Sequence, residues 1–325
     1  MVKGSQVRNG KAFEFALANE YNRELRSRGL QVDLVVDSSL CVAKSFYEGF
    51  SIEAQNQFSA AAKATIGTML KIEPGLLAQK DADDKLVIRL AKDSEGQSGD
   101  VRDVIFSRPS ANWEMGFSAK NNNDAVKHSR LSEVLDFGKQ WLGVPCSQEY
   151  WNDIKPVFQY IDGKIAEDPH AEWNSLGNDK EQLVYLPVLA AFREELLRIN
   201  RENPSIPSKL ITYLIGNEPF YKVIKNDAAH LVIVKAFNIG GRLNKTVHGK
   251  KSNYRVEKIN LPTRIVEFEF KEGSTTTLQM ILDGGWAVSF RLHNAETRLV
   301  HSLKFDVQLI GNPPVLFSQY LFVLY

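Results

Sequence analysis

The chain has 325 residues, 43% of them hydrophobic, which is enough for one large domain or two of average size with a genuine core. Forty Lys and Arg against thirty-nine Asp and Glu leave a net charge of +1, so any nucleic-acid surface has to be a local one. Cys41 and Cys146 alone exclude a disulfide framework and a CxxC zinc site, and no apolar run reaches spanning length, so the expectation is a cytoplasmic protein with no membrane partner.

From about Asn9 to Ser27, Phe13, Ala16, Leu17, Tyr21 and Leu25 recur at helical spacing, and the glycine of "RGL" supplies a stop. "DSSLCVAKSFYEGF" and "SIEAQNQFSAAAKATIGTMLKIEPGLL" predict two or three further helices, each opened by an Asp or Ser that can cap free N–H groups. At Lys85 the pattern changes. "KLVIRLAKD", "DVRDVIFS" and "WEMGFSAK" predict three neighbouring strands, the last two joined by the turn "RPSAN".

Helices are then predicted over about Ala125 to Trp141, in "SQEYWNDIKPVFQYIDGKI" and in "KEQLVYLPVLAAFREELLRINRE". From Lys209 onward strands dominate: "HLVIVKAFN", "TRIVEFEFK", "TTLQMILDGG", "WAVSFRLHN" and "LKFDVQLIG". There is no internal repeat or low-complexity linker. A soft boundary near Pro204 and Pro207 divides an α/β part, 1–203, from a mostly β part, 204–325.

Side chains two apart on a strand share a face, so Glu114, Gly116, Ser118 and Lys120 form one side of "WEMGFSAK" while Met115, Phe117 and Ala119 suit a core. Across the hairpin, Asp103 can approach Ser118 and Lys120. An acid on one strand with a lysine at the end of the next matches the metal site of one large nuclease class. Mg²⁺ takes hard oxygen ligands, usually one or two carboxylates plus water and substrate phosphate, and a nearby lysine orients the nucleophile or stabilises phosphate charge. Taken alone the spacing is unspecific, because an ordinary hairpin with solvated charges satisfies it too.

Several separated blocks carry more. "GDVRDVIF", "WEMGFSAKNNNDAVKHSRLS", "DFGKQW", "GVPCSQEYW", "YLIGNEPFYKVI", "LNKTVHGKKSNYRVEKINLPTRI" and "SFRLHNAETRLVHSLKFDVQLIG" resemble, in order and spacing, the HaeIII-type restriction endonucleases, a branch of the PD-(D/E)xK nuclease superfamily. The resemblance spans most of the chain. It implies a restriction-endonuclease-like mixed α/β sheet flanked by helices, a PD-(D/E)xK-like catalytic part in 1–203 and a mostly β DNA-recognition part in 204–325. It further implies Mg²⁺-dependent type II cleavage of double-stranded DNA at GGCC, with blunt ends, in the bacterial cytoplasm. A cognate DNA methyltransferase is the functional partner, and a palindromic target suggests a homodimer or a monomer acting on each strand in turn.

By the same resemblance Asp103 matches the first metal-binding acid, Ser118 the usual Asp/Glu position and Lys120 the catalytic lysine. Ser118 departs from the pattern, because a hydroxyl is a poor substitute for a carboxylate. Glu114 lies about 13 Å along the strand from Ser118, too far to share its metal. The second acid is therefore sought at Glu14 on the first helix, with Asp100 as the other candidate. Lys127, His128 and Arg130 are expected at a helix start facing phosphate.

The segment from Phe237 to Arg264 holds seven cations against one acid. Within it Arg242, Asn244, Lys245, Lys250, Lys251, Asn253 and Arg255 are expected at DNA, the cations on phosphates or guanine edges. Arg291, His293 and Lys304 are expected there too, beside core-forming Leu303, Phe305 and Val307. Trp113, Trp141 and Trp286 read as core residues. Two other functions fit the same residues: a repair nuclease with this metal site and structure-selective binding, and a DNA-binding protein whose site is degenerate at Ser118. Cleavage of unmodified plasmid at one repeated sequence separates the three.

Overall fold

The protein is described from a computed structural model covering residues 5–92, 99–127 and 129–323. It is a mixed α/β chain with two sheets and a strand-rich C-terminal part, as the sequence pattern predicts. Two compact units are built from discontinuous segments: 1–124, 216–260 and 315–325 in one, and 125–215 with 261–314 in the other. The loop around Pro204 and Pro207 therefore lies inside the second unit, and the units do not part at 203/204. The reason is strand pairing, which returns later strands to the first sheet.

In the first unit a seven-stranded sheet has the order β1 (Val32–Leu34), β2 (Leu86–Leu90), β3 (Val104–Arg108), β4 (Trp113–Asn121), β6 (Phe220–Asn226), β7 (Leu231–Phe237) and β12 (Ser318–Phe322). It is mixed: β1 runs parallel to β2 and β4 parallel to β6, and the remaining pairs are antiparallel. Helices α1 (Ser5–Ser27), α2 (Ser38–Glu48) and α3 (Ile52–Ile72) complete the unit. The predicted caps form, with Asp37 accepting from the Leu40 amide and Ser51 from the Ala54 amide.

Phe13, Ala16, Leu17, Tyr21 and Leu25 are all buried, as their spacing requires. The Tyr21 ring meets Phe106 and Phe117 edge-on at 5.1 and 5.3 Å, which seats α1 against the strands that carry the candidate site. Its hydroxyl is shared with Thr65 of α3 at 2.9 Å. Arg108, fully buried at the end of β3, donates to the carbonyls of Gly75, Leu76 and Asp84 and pairs with the Asp84 carboxylate at 3.4 Å.

The second unit is an antiparallel sheet in the order β5 (Arg130–Ser132), β11 (Ser302–Gly311), β10 (Ala287–Asn294), β9 (Thr277–Leu282) and β8 (Ile265–Phe270), with α4 (Gln148–Glu167), α5 (Leu186–Glu202) and α6 (Ile206–Ile215). Phe192 of α5 packs its ring against Phe268, Phe290 and Phe305 from three of these strands. Trp113, Trp141 and Trp286 are buried, as expected.

Two stretches differ from the sequence expectation. Residues 125–141 do not form a helix: Ala125 bridges to Gln308, β5 pairs Leu131 with Leu303, and only Gly138–Leu142 coils, as a π-helix. Pairing to the buried edge of β11 outweighs local helical propensity there. Conversely, Ile206–Ile215 is helical because Ile206, Leu210, Ile211 and Leu214 repeat on one buried face.

Candidate active site

The site is built where β3 begins and β4 ends. Asp103 precedes β3 by one residue. Its amide donates to the Phe117 carbonyl at 2.6 Å and its carbonyl accepts from the Ala91 amide at 2.9 Å, so its backbone is held from both neighbouring strands. Its carboxylate accepts the Ala119 amide at 2.7 Å. The Lys120 Nζ stands 3.9 Å from the same oxygen, and the two side chains are 29% and 26% exposed, so the pair opens to a surface a substrate can reach.

Glu14 of α1 is the candidate second acid. It is buried and accepts a hydrogen bond from Lys11 Nζ at 3.1 Å. Burial, then the charge of Asp103, pushes its carboxyl from 4.5 up to about 7, against the pull of Lys11 and Lys120. Two carboxylates and a lysine thus lie within electrostatic reach, and the charge of Asp103 disfavours that of Glu14. That donor set suits a hard divalent cation, which both relieves the repulsion and accepts oxygen ligands. Among the described residues no group of three or more His, Cys, Asp or Glu side chains is placed to hold a metal. Two carboxylates are sufficient where water and substrate phosphate supply the rest.

Asp100 is committed elsewhere. Arg102 takes both its oxygens, Nε to Oδ1 at 2.9 Å and Nη2 to Oδ2 at 2.7 Å, and reaches Glu114 Oε1 at 2.6 Å. Burial opposes the charge on Asp100, but the Arg102 hydrogen bonds outweigh it and hold the carboxyl below its usual range. Gly116 allows this arrangement, because a Cβ there would lie 2.5 Å from Arg102 Cδ. The acids on either side of Arg102 are therefore a structural clamp across the β3–β4 hairpin. Ser118 is buried and sits opposite Lys222 of β6.

The family described as HaeIII restriction endonuclease matches residues 10–313. The chain belongs to this family. It is 37% identical over 306 residues to the type II restriction enzyme HaeIII of Haemophilus aegyptius, with 94% of each chain covered. No solved structure matches it significantly.

In this HaeIII-family chain the predicted DNA-facing residues fall into two groups. The first is the loop after β7, whose backbone is tied down from within. Asn238 accepts the Leu243 amide and donates to the Val256 carbonyl, while Leu243, Val247, Val256 and Ile259 are buried beneath it. Lys245, Lys250, Lys251, Asn253 and Arg255 are exposed on its outside. Arg242 pairs with Glu218, Arg255 with Glu257 at 2.8 Å, and Lys250 Nζ donates to the Leu77 carbonyl at 2.5 Å.

Asn244 is tied into the loop's own framework. Its side chain donates to the Ile72 carbonyl and accepts from the Val256 amide, and its own amide is held by Glu73 at 2.7 Å. At φ 60° it occupies the left-handed region, where asparagine is favoured among non-glycine residues. It shapes the loop. Glu73, fully buried, also accepts from the Tyr221 hydroxyl at 2.6 Å, and burial pushes it up to about 7 despite these hydrogen bonds.

The second group lies on the five-stranded sheet. Register aligns Arg130 with Lys304 and Lys304 with His293, so three of the residues expected at DNA form one row across adjacent strands. Arg130 donates to Ser302 Oγ at 3.0 Å, and Arg291 pairs with Asp306 at 2.9 Å. Lys127 is not at a helix start: its ammonium lies over the Tyr213 ring at 4.2 Å. His128 lies outside the described residues.

Sequence reasoning passed over Lys222 and Asp124. The signal was present in "FYKVIKN", where two lysines interrupt an otherwise apolar strand.

Proposed function

We propose that this protein is a Mg²⁺-dependent type II restriction endonuclease that cleaves double-stranded DNA at GGCC, at the centre of the site, and works beside a cognate methyltransferase. The observation that carries this reading is the pairing of Asp103 with Lys120 at one strand end, within electrostatic reach of the buried Glu14, in a chain of the HaeIII family. The relative's name supports the type II activity.

In this reading Asp103 and Glu14 hold the metal, and Asp100 does not. Mg²⁺ bound there supplies Lewis-acid stabilisation of charge on the scissile phosphate. The Ala119 amide fixes the Asp103 carboxylate so that little reorganisation is needed on substrate binding. Lys120 donates to the attacking water or a non-bridging phosphate oxygen. Water adds to phosphorus in line, the P–O3′ bond breaks and the departing O3′ takes a proton, leaving 5′-phosphate and 3′-hydroxyl ends. Ser118 contributes no charge.

The exposed cations of the 242–255 loop contact phosphates, and Arg130, Lys304, His293 and Arg291 form a second contact surface. A twofold dimer matches a palindromic target. Among the described residues no helix is long and apolar enough to cross a membrane. Digestion of unmethylated plasmid with Mg²⁺, followed by sequencing of the ends, tests the reading. Blunt GG|CC ends support activity and specificity together. Cutting at another repeated site retains the class alone, and no cutting with Mg²⁺ or Mn²⁺ rejects it.

A further inference from the structure

Lys222 stands beside the candidate site with no role in the chemistry above. The register of β4 with β6 sets it directly opposite Ser118, and that of β6 with β7 sets Lys235 opposite Lys222. Ser118, Lys222 and Lys235 therefore project from one face in a row across three strands, with neighbouring strands about 4.8 Å apart. The Lys222 side chain is 3% exposed. Taking an ammonium out of water is costly, so the position needs a strong partner or a reason for its charge.

The partner is Asp124. Lys222 Nζ donates to its backbone carbonyl at 2.8 Å and pairs with its carboxylate at 2.5 Å, and Lys235 takes the other carboxylate oxygen. One carboxylate thus faces two ammonium groups, one strand over from the strand that bears Lys120. Burial, opposed by Asp124 and assisted to a lesser degree by the charges of Lys120 and Lys235, pulls Lys222 down to about 8.

Asp124 lies four residues beyond Lys120, so this clamp closes the turn that leaves the catalytic strand. A second tie holds the same turn: Asn122 and Asp227 exchange hydrogen bonds of 2.7 and 2.8 Å, and the Asn122 amide donates to the Lys225 carbonyl at 2.7 Å.

We propose that Lys222 is a positioning residue for phosphodiester hydrolysis: through Asp124 it fixes the end of the strand bearing Lys120. The proposal rests on the reading of Asp103, Glu14 and Lys120 as the reactive group.

The test uses full-length K222M, K222R and D124N. Three quantities are compared with the parent: single-turnover cleavage of an unmethylated GGCC duplex in Mg²⁺, affinity for that duplex in Ca²⁺, and the thermal unfolding midpoint. K222M is expected to lose roughly tenfold or more in single-turnover rate with affinity unchanged, since small misplacements of a catalytic group cost rate and not binding. K222R is expected to recover part of the loss. D124N, altered at a partly exposed side chain, carries the same expectation should K222M not fold. Cleavage at the parent rate by folded K222M or D124N overturns the proposal, as does parallel loss of rate and affinity. D103N and K120A run alongside. If they cleave normally the site reading itself fails, whereas if they are inactive and K222M is not, only the role of Lys222 falls.

Discussion

The Asp103 carboxylate accepts the backbone amide of Ala119 at 2.7 Å, one residue before Lys120 on the neighbouring strand. The first acid and the lysine are thereby registered by main chain as well as by their 3.9 Å ion pair. D103N keeps an acceptor for that amide while removing the charge. It is expected to fold and bind DNA normally yet cleave roughly 10²–10³-fold more slowly, with K120A similarly impaired. Single-turnover rates set against gel-shift affinities check this, and cleavage by D103N at the parent rate contradicts it.

Glu14 is expected to separate stability from activity. Its ordinary carboxyl value is raised to about 7 by burial and by Asp103, so at pH 8 the folded protein without metal carries an ionised buried acid at a cost in stability. E14Q removes that cost. It should melt higher than the parent in EDTA at pH 8, lose most of the Mg²⁺-induced rise in melting temperature, and lose cleavage. Scanning calorimetry with and without Mg²⁺ measures the first two, and a full Mg²⁺ shift in E14Q would remove Glu14 from the metal site.

Glu73 sets a pH dependence away from the metal. Its folded value of about 7 exceeds the ordinary 4.5, so the native state binds more protons than the unfolded state between these limits. Its contribution to stability is fully present below about 4.5 and is lost as pH rises through about 7. E73Q retains an acceptor for Tyr221 and Asn244 without the titration. The stability of E73Q relative to the parent should therefore improve from pH 5 to pH 8 in denaturant melts. A constant difference across that range would show that Glu73 does not titrate there.

The loop after β7 should divide into contacts and framework. Lys251→Ala and Arg255→Ala are expected to weaken binding to all sequences alike and to reduce the salt dependence of log K by about one per cation removed. Asn244→Ala removes ties to Ile72 and Val256, and is expected to lower the melting temperature with no change in salt slope. Affinity measured over a range of KCl concentrations distinguishes the two behaviours, and relaxed base preference in a stable N244A would return Asn244 to the reading surface.

Much of the first unit was legible because its signals are local. The 3.6-residue spacing of Phe13, Leu17 and Tyr21, the caps at Asp37 and Ser51, and the alternation in "WEMGFSAK" each report a physical constraint acting within a few residues. The 125–141 stretch was misread for the opposite reason, since Leu131 is committed to a strand by a partner at Leu303, far away in sequence. The tie from Asn244 to the helix end at Ile72 was likewise invisible in the sequence.

By itself the sequence determined the fold class, the Asp103–Lys120 pair and the family resemblance, because a hairpin brings its two residues together by turn and register alone. It also exposed the shortage of one carboxylate at Ser118. Only the tertiary structure separated the surroundings of Glu14 and Asp100: Glu14 is buried on α1 within electrostatic reach of Asp103, whereas Arg102 claims both oxygens of Asp100. It alone aligned Arg130, Lys304 and His293, and it alone set Lys222 beside Ser118. Such neighbours are fixed by strand order and burial, which act between residues that local pattern cannot connect.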